Sequence, residues 1–263
     1  MGFEVERRRR ASHTKRVLCC SILLLGGCST HSDRSAGDEG KPGSSVASDH
    51  KSTKNTVRLG SPEWYTDQLA AADKGDMFAQ LRVADCFYIG SCGFAKDQNE
   101  AMRYWDLAAE QGSGFAQGQL ATAYQFGING LQKDLTQAAK WWRRAAESGD
   151  SGAAAILGAF YEEGDGVPQN FDEAVKWYRR GADGGDPAAQ RSMGEMYVKG
   201  TGVPQDYLQA HMWLNLACSI GKTEACGIRD RLATKMSAAQ VQQAQDMASK
   251  WEPGPKRTNR EKR

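Results

Sequence analysis

Histidine is scarce in this chain of 263 residues. Of the four present, His13, His31 and His50 fall within the first 50 positions, and His211 stands alone beyond them. One imidazole cannot build a histidine-based metal site, and neither HExxH nor CxxC spacing occurs. The GxSxG nucleophile elbow is missing, and no cysteine is accompanied by an evident histidine base. Neighbouring carboxylates do occur, but Glu162–Glu163 read as solvated charge at a helix end. Asp172–Glu173 read as first-turn acids that complement the helix dipole. The chain also lacks a long apolar run: "VLCCSILLLGG", Val17 to Gly27, is well short of the roughly 20 residues that cross a bilayer. Net charge is small, +2. Residues 1–27 hold six positive and two negative side chains, and the last eight hold five and one, which leaves −6 between them. A middle of that sign argues against a nucleic-acid partner. The expectation is a protein without catalytic residues, metal or cofactor, with His211 as a surface or half-buried helix residue.

The N-terminus reads as an address. "MGFEVERRRRASHTKR" is basic, the apolar run follows, and small residues in "LGGC" end at Cys28. This resembles a bacterial lipobox, which implies that Cys28 is lipidated and becomes the first residue of the mature chain. A short buried helix is the alternative, but four consecutive arginines and a double cysteine suit it poorly. Ser29, where an Asp would favour inner-membrane retention, points to the outer membrane facing the periplasm. Ser, Gly, Asp, Lys and Thr dominate from there to residue 60, too little apolar surface to offset chain entropy. The expected divisions are therefore a signal peptide at 1–27, a tether at 28–60, a folded unit at 61–252 and a basic tail at 253–263. The tail could touch anionic head groups, though a solvated tail is the plainer reading.

The folded stretch is repetitive, which decides its architecture. Ala79, Ala116, Ala153 and Ala189 are separated by 37, 37 and 36 positions. Each is followed by an apolar residue (Val83, Leu120, Leu157, Met193) and a small one (Ala84, Ala121, Gly158, Gly194). An aromatic comes next (Phe87, Tyr124, Tyr161, Tyr197), then a glycine (Gly90, Gly127, Gly164, Gly200). These offsets share one helical face, and the glycine suits the left-handed position past a helix end. Asp97–Glu100, Asp134–Gln137, Asn170–Glu173 and Asp206–Gln209 carry the capping-box pattern in register. Behind them come Ala101, Ala138, Ala174 and Ala210, then Tyr104, Trp141, Trp177 and Trp213. Connections of about 6 to 8 residues are expected between helices, which forces antiparallel neighbours. One helix pair cannot bury its own face, so copies must stack.

The phrase "AAAILGAFYEEGDGVPQNFDEAVKWYRRGADGG" resembles the Sel-one-like repeat (SLR), a relative of the tetratricopeptide repeat. The first copy diverges most, with "GSCGFAKD" in place of GVPQ. The resemblance implies an all-α, right-handed superhelical solenoid of about four repeats, closed by "PEWYTDQLAAADKG" at one end. At the other, "RDRLATKMSAAQVQQAQDMASKW" with its Ser237–Gln240 box is similar to closing helices of bacterial members. It further implies a scaffold or adaptor whose concave surface is lined by first helices. There the residues opposite the packing face are Arg82, Asp85, Gln119, Thr122, Ile156, Ala159, Ser192 and Glu195. Such a mixed stripe suits a protein or peptide partner in the cell envelope, or else is ordinary solvated surface. The alternative function is that of cysteine-rich relatives linked to β-lactam or peptidoglycan-type substrates. Four cysteines follow Cys28. Cys218 and Cys226 resemble the C-x7-C bridge of those relatives, and Cys86 pairs more readily with Cys92 than with the distant two. Buried free thiols remain the alternative for both pairs.

Overall fold

The computed structural model describes residues 62–254. The leader 1–27, Cys28, the tether 28–60 and the tail from 255 onward lie outside the described residues. Among those described there are eleven α-helices and no strands. They are α1 (Pro62–Asp73), α2 (Met77–Ile89), α3 (Gln98–Glu110), α4 (Gly114–Phe126), α5 (Leu135–Glu147) and α6 (Ser151–Glu163). These are followed by α7 (Phe171–Asp183), α8 (Pro187–Lys199), α9 (Tyr207–Ser219), α10 (Thr223–Ala233) and α11 (Ala238–Ser249). The pairs α2–α3, α4–α5, α6–α7 and α8–α9 are the four repeats, and every helix in them is 13 residues long.

Each first helix starts two residues before its alanine, at a cap the pattern had not exposed. The side chains of Asp76, Ser113, Asp150 and Asp186 accept from the N–H of Ala79, Ala116, Ala153 and Ala189. Such a cap contributes about 1 kcal/mol. The helices end as expected, with Gly90, Gly127, Gly164 and Gly200 at φ of 76°, 64°, 78° and 70°. Second helices begin at Asp97, Asp134, Asn170 and Asp206, whose side chains take the N3 amide. Among the described residues the reciprocal half of the capping box is made at Ser237–Gln240 alone. In the repeats the cap residue's own N–H is already bonded to the carbonyl of Phe87, Tyr124, Tyr161 or Tyr197, which leaves the Glu or Gln nothing to receive there. Connections within a repeat are seven or eight residues, near the expected length. Those between repeats, such as 111–113 and 184–186, are three.

The GVPQ turn works residue by residue. Val167 and Val203 pack against the core. Gln169 and Gln205 donate to the carbonyls of Glu162 and Val198, at 2.8 and 2.7 Å, on the preceding helix end. A Cβ on Gly202 would lie 2.7 Å from the carbonyl oxygen of Phe171, and one on Gly166 would be still more crowded by the Leu135 carbonyl. In the third and fourth repeats the turn therefore seats on the start of the previous repeat's second helix, one of the contacts that join a repeat to the next.

One core runs through the repeats, and a second, smaller cluster of Ala210, Leu214, Ala217, Ala225 and Leu232 lies where α9 meets α10. Ala101, Ala138, Ala174 and Ala210 are fully buried, with Tyr104, Trp141, Trp177 and Trp213 beside them. Arg143 lies over the rings of both Tyr161 and Trp177 and donates to the Tyr161 hydroxyl. Arg179 repeats this with Tyr197 and Trp213. Asp106 stands at that position in the first repeat, so the first junction lacks the arginine. Helices α10 and α11 both pack on α9. Trp251 meets the edge of Trp213, and the Gly254 N–H donates to the Asp183 carbonyl at 2.8 Å.

Candidate partner-binding surface

The stripe is built from one face of α2, α4, α6 and α8. The structure places Arg82 exposed there and leaves Asp85, Gln119, Thr122, Ile156, Ala159, Ser192 and Glu195 half-buried. The half-burial comes from second-helix side chains that reach up between first helices: Trp105, Trp142, Tyr178 and Leu214, all buried. Tyr178 donates to Glu162 Oε2 at 2.7 Å and lies beside Ser192 of the next repeat. Its ring needs Gly158, because a Cβ there would sit 2.6 Å away; Leu214 imposes the same on Gly194. Trp142 donates to Gln125 Oε1 at 3.1 Å. Trp105 Nε1 lies near Asp85 without meeting full hydrogen-bond geometry.

Several polar groups on the stripe are already committed. Arg82 Nε donates to Gln68 Oε1 at 2.7 Å, with its guanidinium 5.8 Å from the Trp64 ring centroid. Thr122 Oγ1 donates to the Gly118 carbonyl at 2.8 Å. Glu195 is held by Arg191 at 2.6 Å and Lys199 at 3.7 Å. Burial pushes the Asp85 carboxyl above its ordinary range, partly offset by the Trp105 indole. Burial, followed by the Glu162 charge, pushes the Tyr178 phenol well up. The surface thus offers no concentrated charge of one sign.

Reading the same face one turn further in each direction adds residues the sequence pattern left out. Phe78 and Phe115 lie exposed at its start, Ile89 and Phe126 at its end. The third and fourth repeats have Gly152 with Glu163, and Ala188 with Lys199, at those positions. Extending the helical period past the first polar pair would have found them.

The sulfurs of Cys86 and Cys92 are 2.08 Å apart and those of Cys218 and Cys226 1.94 Å, both at disulfide distance. The first pair ties the end of α2 to the loop that stands in for GVPQ, where Phe94 rests on Phe87. The second ties α9 to α10. Cys28 lies outside the described residues. His211 is not a surface residue: it is 2% exposed. Its counterparts Met102, Ala139 and Val175 are buried as well, so alignment of the copies held the signal. Among the described residues no three His, Cys, Asp or Glu side chains are grouped to hold a metal ion. No helix there is long and apolar enough to cross a membrane.

Residues 78–113, 114–150, 151–186 and 187–222 each match the Sel1 repeat. No curated protein matches the chain. Among solved structures, a protective antigen of uropathogenic Escherichia coli strains displaying an SLR fold is 31% identical, with a TM-score of 0.62. That match covers 72% of this chain and 40% of the antigen. A Sel1 repeat protein from Oxalobacter formigenes is 32% identical with a TM-score of 0.59, covering 65% of this chain and 49% of the other. The chain therefore spans less than half of either relative's length. Four tandem copies with this stacking place it in the Sel1-repeat family.

Proposed function

We propose that the protein is a lipid-anchored scaffold of the bacterial envelope whose first-helix stripe receives a protein or peptide partner. Sel1-repeat proteins are in general protein–protein interaction scaffolds. The observation that carries the reading to this stripe is its construction. Four parallel helices present one equivalent face over a closed floor of buried side chains, and exposed Phe78 and Phe115 line its margin. Mixed polar groups flanked by aromatic anchors fit a peptide chain, since a few large apolar contacts supply most interface energy and polar neighbours set register. Envelope attachment rests on the lipobox at Cys28, and Ser29 favours the outer membrane with the repeats facing the periplasm.

The test is a combined variant, Phe78→Ala and Phe115→Ala together with Arg82→Ala, Asp85→Ala, Gln119→Ala and Glu195→Ala, in cells treated with a cross-linker. Helical content should stay unchanged by circular dichroism, while partner capture falls at least about tenfold, the effect of losing one interface hot spot. Undiminished capture would place the binding face elsewhere. Turnover of a β-lactam or peptidoglycan fragment by the purified protein would instead establish the enzyme reading.

A further inference from the structure

All four first helices end in the same left-handed glycine, yet the side chains around that end change along the stack. On α2 the last turn exposes Tyr88 and Ile89, 38% and 68% accessible. On α4 it exposes Phe126, 42%, followed by Ile128, 40%. On α6 the positions of Tyr88 and Ile89 hold Glu162 and Glu163, and on α8 Val198 and Lys199. The residue before each second-helix cap varies in parallel: exposed Lys96 and Lys133 in the first two repeats, Gln169 and Gln205 in the others. Both lysine stems begin at the edge itself. A Cβ on Gly90 would lie 2.9 Å from Lys96 Cβ, and one on Gly127 3.2 Å from Lys133 Cβ. The Lys96 ammonium sits 5.9 Å from the Tyr88 ring centroid. The first two repeats therefore end in an apolar edge flanked by cations, and the third in an acidic one.

The preceding chain joins the fold at that same edge. Gln80 Nε2 donates to the Ala72 carbonyl at 3.1 Å, and Arg82 Nε to Gln68 Oε1 at 2.7 Å. Partner numbers fall along α1 as they rise along α2, so Pro62 comes abreast of the last turn of α2. The 61 residues before it enter there, and they include Cys28. Thirty-three residues separate Cys28 from Pro62, and a chain of that length can reach at most about 110 Å, so the edge lies within reach of an anchored lipid.

We propose that Tyr88, Ile89, Phe126 and Ile128, flanked by Lys96 and Lys133, rest on the surface of an anionic lipid bilayer. The inference rests on the lipid-anchor reading. Aromatic and aliphatic tips enter the boundary between head groups and acyl chains, while lysine stems lie along it with their charges at the phosphates. The acidic end of α6 marks where contact stops, because anionic head groups repel it.

A diazirine-bearing residue placed at 89, 126, 163 or 199 of the full chain, photolysed in intact cells, reads this directly. Lipid adducts should dominate at 89 and 126 and be scarce at 163 and 199. Lys96→Gln and Lys133→Gln should each lower the adduct yield about fivefold, the effect of one lysine at an anionic surface. The anchor and the edge fail differently. A chain recovered wholly in the soluble fraction rejects the anchor and, with it, this occupant. A membrane-bound chain whose probes at 89 and 126 capture only protein, or capture lipid no better than those at 163 and 199, overturns the edge alone.

Discussion

His211 illustrates how a residue's environment is set by the copies around it. Its position on α9 is filled by Met102, Ala139 and Val175 in the other repeats, and all four are buried. Burial, reinforced by the positive charge of Arg229 and opposed by Asp230 on α10, lowers the imidazole's affinity for a proton. The unfolded chain takes up that proton below about pH 6.5, whereas the folded chain resists it. Stability contributed here is therefore present above pH 6.5 and declines as pH falls from there toward the depressed folded value. The carboxyls of Asp85, Asp106, Asp183 and Asp186 are raised, mainly by burial, and act with the opposite sign at more acid pH. A comparison of variants isolates the histidine. Urea midpoints at pH 7.5 and 5.5 should differ more for the native chain than for His211→Met. Equal differences would mean that the imidazole titrates as it does in water.

At the scale of elements, each 13-residue helix depends on its ends. An isolated helix of this length is marginal in water, so caps and turns hold it until packing does the rest. The first repeat lacks GVPQ and has the Cys86–Cys92 pair tying α2 to its loop, while the Cys218–Cys226 pair crosses a junction where α10 has no side-chain cap. Lys222 stands at that cap position, where Asp or Ser serves the four repeats. Closing a loop of eight residues stabilises by about 2.5 kcal/mol in the chain-entropy model. Cys218→Ser with Cys226→Ser should lower stability by about that amount in denaturant titration. Peptide mapping of the unreduced protein isolated from cells should recover the two cysteines in one linked pair. Free, alkylatable thiols at both would reject the bridge.

At the scale of the whole molecule, the stack is closed by unlike pieces. α1 supplies a half-repeat, and α10, α11 and Trp251 cover the last second helix. The polar N-terminal stretch then connects this unit to Cys28. Cys28→Ala should leave unprocessed precursor and move the mature form out of the detergent phase on partitioning. Unchanged fractionation of that variant would reject the lipid anchor.

The repeat's period, the eight helices, the left-handed glycines and the second-helix caps were legible because each depends on residues within a turn or two of one another. Four copies in register removed the ambiguity of any single one. The caps of the first helices were less legible, because Asp or Ser before an alanine is common, and only the hydrogen bonds distinguish them. The reciprocal capping boxes were overestimated, since the competing bond comes from a carbonyl nine or ten residues earlier. The burial of His211 and the commitment of Glu195, Thr122 and Arg82 were decided by tertiary packing. So was the apolar, lysine-flanked edge of the first two repeats. Local sequence specifies helices and their ends through short-range bonds. Which faces remain open depends on the neighbours that stacking brings against them, and those lie some 36 residues away or in the terminal helices.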